Sequence, residues 1–210
     1  MASGRGAGAS ARRGIVAGML ALSVAGLIAG CDRGQAPSFH SIDVTGAEYA
    51  QDFRMRDHDG NARELGDFRG KVVTVFFGYL NCPDFCPMHL VRQRRVLELL
   101  GDDAARVQTL FVTVDPERDR PERLEPYVTA FHPSFIGLWG TQEQTEQMAR
   151  DFKVFYRKVE LKDSAMGYAV DHTTLTMVYD TEGRLRLAVR HELTAEQVAA
   201  DLRRLLAEGG

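Results

Sequence analysis

Two nearly continuous apolar runs constrain the fold of this 210-residue chain more than any other feature. The first run is GKVVTVFFGY at residues 70–79, and the second is VQTLFVTVD at residues 107–115. Runs of this kind are typical of strands that are buried on both faces, in sheets that carry helices on each side. The segment from Pro87 to Leu100, which lies between them, has an apolar helical stripe with arginines opposite.

The remaining elements extend this alternation of strands and helices. A helix is predicted over residues 120–131, and two more begin at Thr141 and Thr194, each with a glutamine three residues on as a capping-box partner. Turn residues favour hairpins over residues 53–65 and 174–190. The order predicts an α/β sandwich, in which helices flank a central mixed β-sheet and a β-hairpin lies near the N-terminus.

The first 30 residues have the pattern of a secretory signal peptide. Three arginines and no acidic residue come first, and the uncharged stretch GIVAGMLALSVAGLIAG follows at residues 14–30. This stretch is slightly short for a membrane span, which needs about 20 residues. LIAGC at residues 27–31 resembles the bacterial lipoprotein box, which implies that Cys31 is lipidated and becomes the mature N-terminus. An uncleaved anchor is the alternative interpretation.

We therefore divide the chain into a signal peptide (residues 1–30), a flexible membrane tether (31–47) and one domain (48–210). Asp32 after the lipidated cysteine implies retention at the inner (cytoplasmic) membrane, with the domain facing the periplasm. Loss of the signal changes the formal net charge from −3 to −6, because three arginines leave with it. The sequence has no basic patch that would indicate a nucleic-acid partner. Its mild acidity suits a domain that does not adhere to anionic lipid.

Two cysteines follow the first buried strand in FFGYLNCPDFCPMHL, residues 76–90. Cys82 and Cys86 should lie at the carboxyl end of that strand, where ligands bind in open α/β sheets. If Pro87 is the first helical residue, Cys86 lies at a helix N-terminus, where the partial positive charge favours the thiolate. A disulfide that closes so small a loop stabilises a fold little, so a structural staple is the weakest explanation. A redox couple and a soft-metal site both remain open.

A strand, a turn with cysteines and a helix together resemble the thioredoxin superfamily. In that superfamily a cis-proline faces the thiols, in the loop before the strand that corresponds to TLTMVYD. This chain has no proline after Pro133, and AVDHTTLTMVYD places His172 there instead. Two thiolates and one imidazole form a three-coordinate soft site that suits Cu(I) and also accommodates Cu(II). A structural zinc site would need a fourth ligand.

The pairing of GYLNCPDFCP with DHTTLTMVYD is similar to that of the Sco/SenC family of copper chaperones for cytochrome c oxidase assembly. The resemblance covers nearly all of residues 50–207 and implies a thioredoxin-like fold. It implies that Cys82, Cys86 and His172 are copper ligands. It also implies delivery of copper to the binuclear copper site of cytochrome c oxidase subunit II, reduction of that site's cysteines, or both. Other periplasmic copper carriers and thiol reductases are further implied partners.

Two carboxylates are candidates for a supporting role at the proposed copper site. Asp84 is a candidate to tune the thiols, and Asp171 to orient the imidazole.

Three other functions compete with copper transfer. A thiol-disulfide oxidoreductase or a redox sensor would use the Cys82–Cys86 pair alone. A peroxiredoxin-like peroxidase is disfavoured, because NCPDFCP holds no activating threonine or arginine. PMH after the second cysteine departs from the small polar residues expected in the family, but it removes no ligand.

Overall fold

The computed structural model describes residues 38–162 and 164–209. The predicted signal peptide, the lipidation site Cys31 and the first part of the tether lie outside the described residues and stay predictions. Phe39–Gly210 forms one compact unit. No helix in the described part of the chain has both the length and the apolar character that a membrane crossing requires.

The described part of the chain contains strands, α-helices and two short 3-10 helices in alternation. The strands are β1 (Ile42–Asp43), β2 (Met55–Asp57), β3 (Ala62–Arg63), β4 (Val72–Gly78), β5 (Val107–Thr113), β6 (Ile136–Trp139), β7 (Tyr156–Glu160), β8 (Tyr168–His172), β9 (Thr176–Tyr179) and β10 (Leu185–Val189). The α-helices are α1 (Phe85–Leu100), α2 (Pro121–Phe131), α3 (Gln142–Asp151) and α4 (Ala195–Glu208). The 3-10 helices are Leu65–Phe68 and Gly101–Arg106.

Eight of these strands form one mixed sheet in the order β1-β10-β9-β4-β5-β6-β2-β3. Strands β4, β5 and β6 are parallel, and the other neighbours are antiparallel. Every residue of β4 and of β5 is buried, as expected for central strands that are covered on both faces. The predicted α/β architecture with a central mixed sheet is confirmed.

The local signals that predicted hairpins and helix starts are also confirmed. β2 pairs with β3 around the turn at residues 58–61, and β9 pairs with β10. Thr141 and Thr194 each accept a hydrogen bond from the backbone of the glutamine three residues on, whose side chain in turn accepts one from the threonine N–H. Each threonine therefore stabilises the first turn of its helix, as a capping box does.

Helix α1 begins two residues earlier than predicted. Its first residue is Phe85 and its N-cap is Asp84, so Pro87 is the third helical residue and Cys86 the second. Proline is compatible with this position because the first N–H groups of a helix have no partner within it. Cys86 thus lies inside the first turn, with its backbone N–H free to point at the preceding loop.

Residues 39–47, which the sequence assigned to the tether, pack against the domain. β1 pairs with β10, and Ile42 lies opposite Ala188. The backbone N–H groups of His40 and Ser41 donate to the buried carboxylate of Asp201 in α4, at 2.9 and 2.8 Å. These bonds satisfy a buried charge, and they move the start of the domain to about residue 39.

The sequence predicted neither β6 nor the separate two-stranded sheet formed by β7 and β8. Tyr156 pairs with His172, and Glu160 with Tyr168, across this antiparallel hairpin. Most side chains of both strands are exposed or half-buried, so no apolar run marks them. The hairpin matters because its last residue is His172.

Candidate metal centre

The two cysteines flank the junction between β4 and α1. β4 ends at Gly78, and a turn follows in which the N–H of Cys82 donates to the carbonyl of Tyr79 at 3.2 Å. Cys82 is 9% exposed, and Cys86, one turn later on α1, is completely buried. Both are free thiols. The strand delivers the pair to the carboxyl edge of the sheet, as the sequence predicted.

Helix α1 makes the two sulfurs chemically unequal. The N–H of Cys86 donates to Sγ of Cys82 at 3.4 Å. The hydrogen bond from the Cys86 thiol lowers the pKa of Cys82 to about 4, with further help from the N–H groups of Asp84 and Cys86. The same sharing of one proton, together with burial, raises the pKa of Cys86. The expectation that the helix N-terminus would make Cys86 the thiolate is therefore wrong, because the hydrogen bond with Cys82 and burial outweigh the helix charge. At neutral pH the pair is therefore one thiolate and one thiol.

His172 reaches the thiols from the end of β8 rather than from a loop. Its Nε2 lies 3.7 Å from Sγ of Cys86. Its ring packs edge-on against Phe76 and Tyr79, with centroids 6.0 and 5.9 Å away. Its Nδ1 lies 3.0 Å from the carbonyl oxygen of Thr173, which can only accept, so Nδ1 carries the proton. Nε2 is therefore left with a lone pair that faces the sulfurs, which is the form that binds metals.

The two sulfurs and one ring nitrogen all lie within 4.8 Å of one another. Small side-chain adjustments would bring these three donors onto one ion. Two thiolates and an imidazole form the soft donor set that copper prefers. The same two sulfurs can also be oxidised to a disulfide, so the geometry fits a copper site and a redox pair equally well.

Gly78 is a residue of the centre that sequence reasoning missed. A Cβ atom at this position would lie 2.8 Å from Sγ of Cys86 and 2.8 Å from a ring carbon of Phe111. The absence of a side chain lets the Cys86 thiol pack directly against the last residue of β4. A glycine at the end of a buried strand indicates such a close approach, and this was the available signal.

A second missed residue is Asp119, which follows β5. Its Oδ2 accepts hydrogen bonds from the N–H of Leu80 at 2.9 Å and from the hydroxyl of Thr113 at 2.7 Å. The side chain is completely buried, and burial raises its pKa to about 6. Asp119 thus anchors the turn that precedes Cys82. No motif linked it to the cysteines, because the contact joins residues far apart in the chain.

In the described part of the chain, no hydrogen bond joins either carboxylate proposed as a supporting group to the thiols or to the imidazole. Asp84 is the exposed N-cap of α1, and its backbone N–H, rather than its carboxylate, helps to lower the pKa of Cys82. The carboxylate of Asp171 pairs with Arg157 across the hairpin at 3.0 Å. The Nδ1 hydrogen bond of His172 goes to Thr173. The backbone, and not Asp171, therefore fixes the tautomer of His172.

Comparison with known proteins identifies relatives over most of the domain. The SCO1/SenC family model matches residues 43–207. The SCO2-like protein RP587 of Rickettsia prowazekii is 33% identical over 70% of this chain and 71% of its own length. The mitochondrial SCO2 homologue of Bos taurus is 37% identical over 74% of this chain and 59% of its own length.

Solved structures with the same fold include proteins with copper bound. ScoI of Bradyrhizobium japonicum, solved with copper bound, is 36% identical with a TM-score of 0.67, covering 73% of this chain and 97% of that one. Apo Sco1 of Thermus thermophilus is 40% identical with a TM-score of 0.71, covering 82% and 99%. These structural similarities confirm that this chain has the predicted thioredoxin-like fold, which it shares with the Sco proteins. The chain belongs to the SCO1/SenC family.

Proposed function

We propose that this protein is a copper carrier that acts in cytochrome c oxidase assembly. The observation that carries the proposal is the convergence of Cys82, Cys86 and His172 from two distant parts of the chain. Copper bound in the ScoI relative and membership of the SCO1/SenC family support the choice of metal and of pathway. The bound ion is cargo, held by two thiolates and by Nε2 of His172.

Ligand exchange is the proposed mechanism of transfer. Cys82 starts as a thiolate and can bind the ion first, whereas Cys86 must lose its proton as the ion enters. A partner's thiolates and imidazoles then replace the three ligands one at a time, so no free ion is released. Low coordination leaves room for the incoming ligand. Cys82 and His172 are the two ligands that are partly accessible from outside.

The surface beside the centre supports transfer to a protein partner. Phe85, Met88 and Val91 are 44%, 57% and 45% exposed, and all lie on α1 within two turns of Cys86. Exposed apolar side chains that cluster in this way indicate an interaction surface. The partner we propose is subunit II of cytochrome c oxidase, whose binuclear copper site would receive the ion. Other periplasmic copper carriers or thiol reductases would supply copper or electrons.

The proposed location is the periplasmic face of the inner membrane. Lipidation of Cys31 would anchor the chain there, and the residues before Phe39 would act as the tether. A pulse with a radiolabelled fatty acid should label the wild-type protein and leave Cys31→Ser unlabelled. Equal labelling of both proteins would contradict the proposed anchor.

A thiol-disulfide reductase that acts on the cysteines of subunit II is the second candidate. It is favoured by the low pKa of Cys82, which keeps a nucleophilic thiolate beside a second thiol at neutral pH. Oxidase activity in cells that carry His172→Ala or Cys82→Ser separates the two functions. A copper carrier needs both residues, so both variants should lose oxidase assembly. Normal assembly with His172→Ala and none with Cys82→Ser would favour the reductase.

A further inference from the structure

The loop Asp115–Asp119 contacts both halves of the metal centre. At its end, Asp119 accepts the N–H of Leu80, two residues before Cys82. At its start, Asp115 accepts the hydroxyl of Tyr168 at 2.8 Å, at the beginning of β8. One loop therefore connects the segment that carries the thiols to the hairpin that carries His172. We call residues Asp115–Asp119 the bridging loop.

Arg118 makes most of the contacts between the bridging loop and the hairpin. Its Nη1 donates to the carbonyl oxygens of Met166 and Tyr168, both at 3.0 Å. Its guanidinium carbon lies 3.5 Å from the centroid of the Tyr168 ring. Its Nε donates to the carboxylate of Asp115, which fixes the orientation of the planar group. Arg118 thus binds the hairpin through backbone carbonyls and through a ring face.

Burial makes these contacts stronger than ordinary surface pairs. The side chain of Asp115 is completely buried and that of Arg118 is 18% exposed. By contrast, the Arg157–Asp171 pair on the same hairpin is 65% and 58% exposed. Hydrogen bonds to charged groups are about twice as strong as neutral ones, whereas exposed ion pairs contribute little.

The hairpin needs such attachments in order to hold its position. β7 and β8 form a sheet of their own, and within residues 38–162 and 164–209 neither strand pairs with the main sheet. A two-stranded hairpin is marginally stable by itself in water. One attachment lies at its base, where Nε2 of Gln142 in α3 donates to the hydroxyl of Tyr156 at 3.2 Å. The contacts of Arg118 fix the other end, near Tyr168.

We propose that Arg118 is a positioning residue, which holds the β7–β8 hairpin and with it His172 over the two thiols. The inference rests on the proposed function only for its effect on copper. Two thiolates suffice to bind Cu(I), whereas the binding of Cu(II) depends more strongly on the imidazole than the binding of Cu(I) does. Arg118 therefore controls the retention of Cu(II) more than that of Cu(I).

The test compares Arg118→Gln and Arg118→Lys with the matched control Arg157→Gln, in the purified full-length protein. Arg118→Lys keeps a positive charge beside buried Asp115, so it guards against failure to fold. For both Arg118 variants we expect Cu(II) affinity to fall by about tenfold or more, as for lost supporting contacts at other metal sites. Cu(I) affinity should stay within about threefold, since both thiolates remain. Arg157→Gln should match the wild-type protein in both titrations.

Hydrogen exchange in the copper-free protein tests the positioning role without the metal. Amides of residues 156–172 should exchange at least about tenfold faster in Arg118→Lys than in Arg157→Gln, because local opening of the hairpin becomes easier. Unchanged exchange, or an equal loss of Cu(I) and Cu(II) affinity, would overturn the inference. If the wild-type protein binds no copper, the proposed function fails, and the exchange comparison still decides whether Arg118 holds the hairpin.

Discussion

Replacing Gly78 with alanine puts a methyl group into space that the Cys86 thiol already occupies. The new Cβ would lie 2.8 Å from Sγ of Cys86 and 2.8 Å from a ring carbon of Phe111, well inside ordinary contact distance. Neither neighbour is free to move, because both are completely buried. Overpacking of this kind typically costs about 1–3 kcal/mol of stability.

The displaced atom is a metal ligand, so copper binding should suffer as well. We expect Gly78→Ala to weaken copper binding by about tenfold or more, the usual effect of disturbing the support of a ligand. Urea unfolding measures the loss of stability, and competition with a chelator measures the affinity. Gly66→Ala is the matched control, because its new Cβ would meet no atom closer than 3.4 Å. Equal stability and equal affinity of the two variants would refute the packing argument.

Three further predictions concern the charged groups around the centre. Burial raises the pKa of Asp119 from 3.8 to about 6, so its contribution to stability is complete below pH 3.8 and is lost as the pH rises through 6. The wild-type protein should therefore lose about 3 kcal/mol of stability over this pH range, and Asp119→Asn should not. Urea unfolding between pH 4 and 7 measures the difference, and the same pH profile in both proteins would contradict the raised pKa of Asp119. Because the pKa of Cys82 is lowered and that of Cys86 is raised, copper binding at pH 7 should release about one proton. An indicator dye in weakly buffered solution measures this release. Release of two protons would contradict the shared proton. Asp171→Asn breaks only an exposed pair with Arg157, so copper affinity should stay within about threefold of wild type in the chelator competition assay. A larger loss of affinity would show that Asp171 supports the metal centre.

Local signals in the sequence predicted the central part of the fold. The apolar runs of β4 and β5 are buried on both faces, and Thr141 and Thr194 start helices with the expected capping boxes. In each case a few neighbouring residues carry the physical cause, so the pattern is legible without the rest of the chain. The placement of Cys82 at the edge of the sheet follows from the same run.

Contacts between distant residues could not be predicted in this way. The segment before residue 47 looks polar and irregular, yet its N–H groups satisfy the buried carboxylate of Asp201. The bridging loop looks like an ordinary turn, yet Asp119 and Arg118 tie the thiols to the hairpin. The structure brings His172 to the thiols, but the sequence placed it there only through a family resemblance, because no local pattern connects residues 86 positions apart.

Titration of the reduced protein with Cu(II) tests the central claim most directly. Sulfur bound to Cu(II) gives an intense charge-transfer absorption, and we expect this band to rise to an end point at one equivalent of copper. His172→Ala should lose the band while still binding Cu(I) through Cys82 and Cys86. Absence of the band in the wild-type protein, or an unchanged band in the variant, would contradict a copper centre built from these three residues.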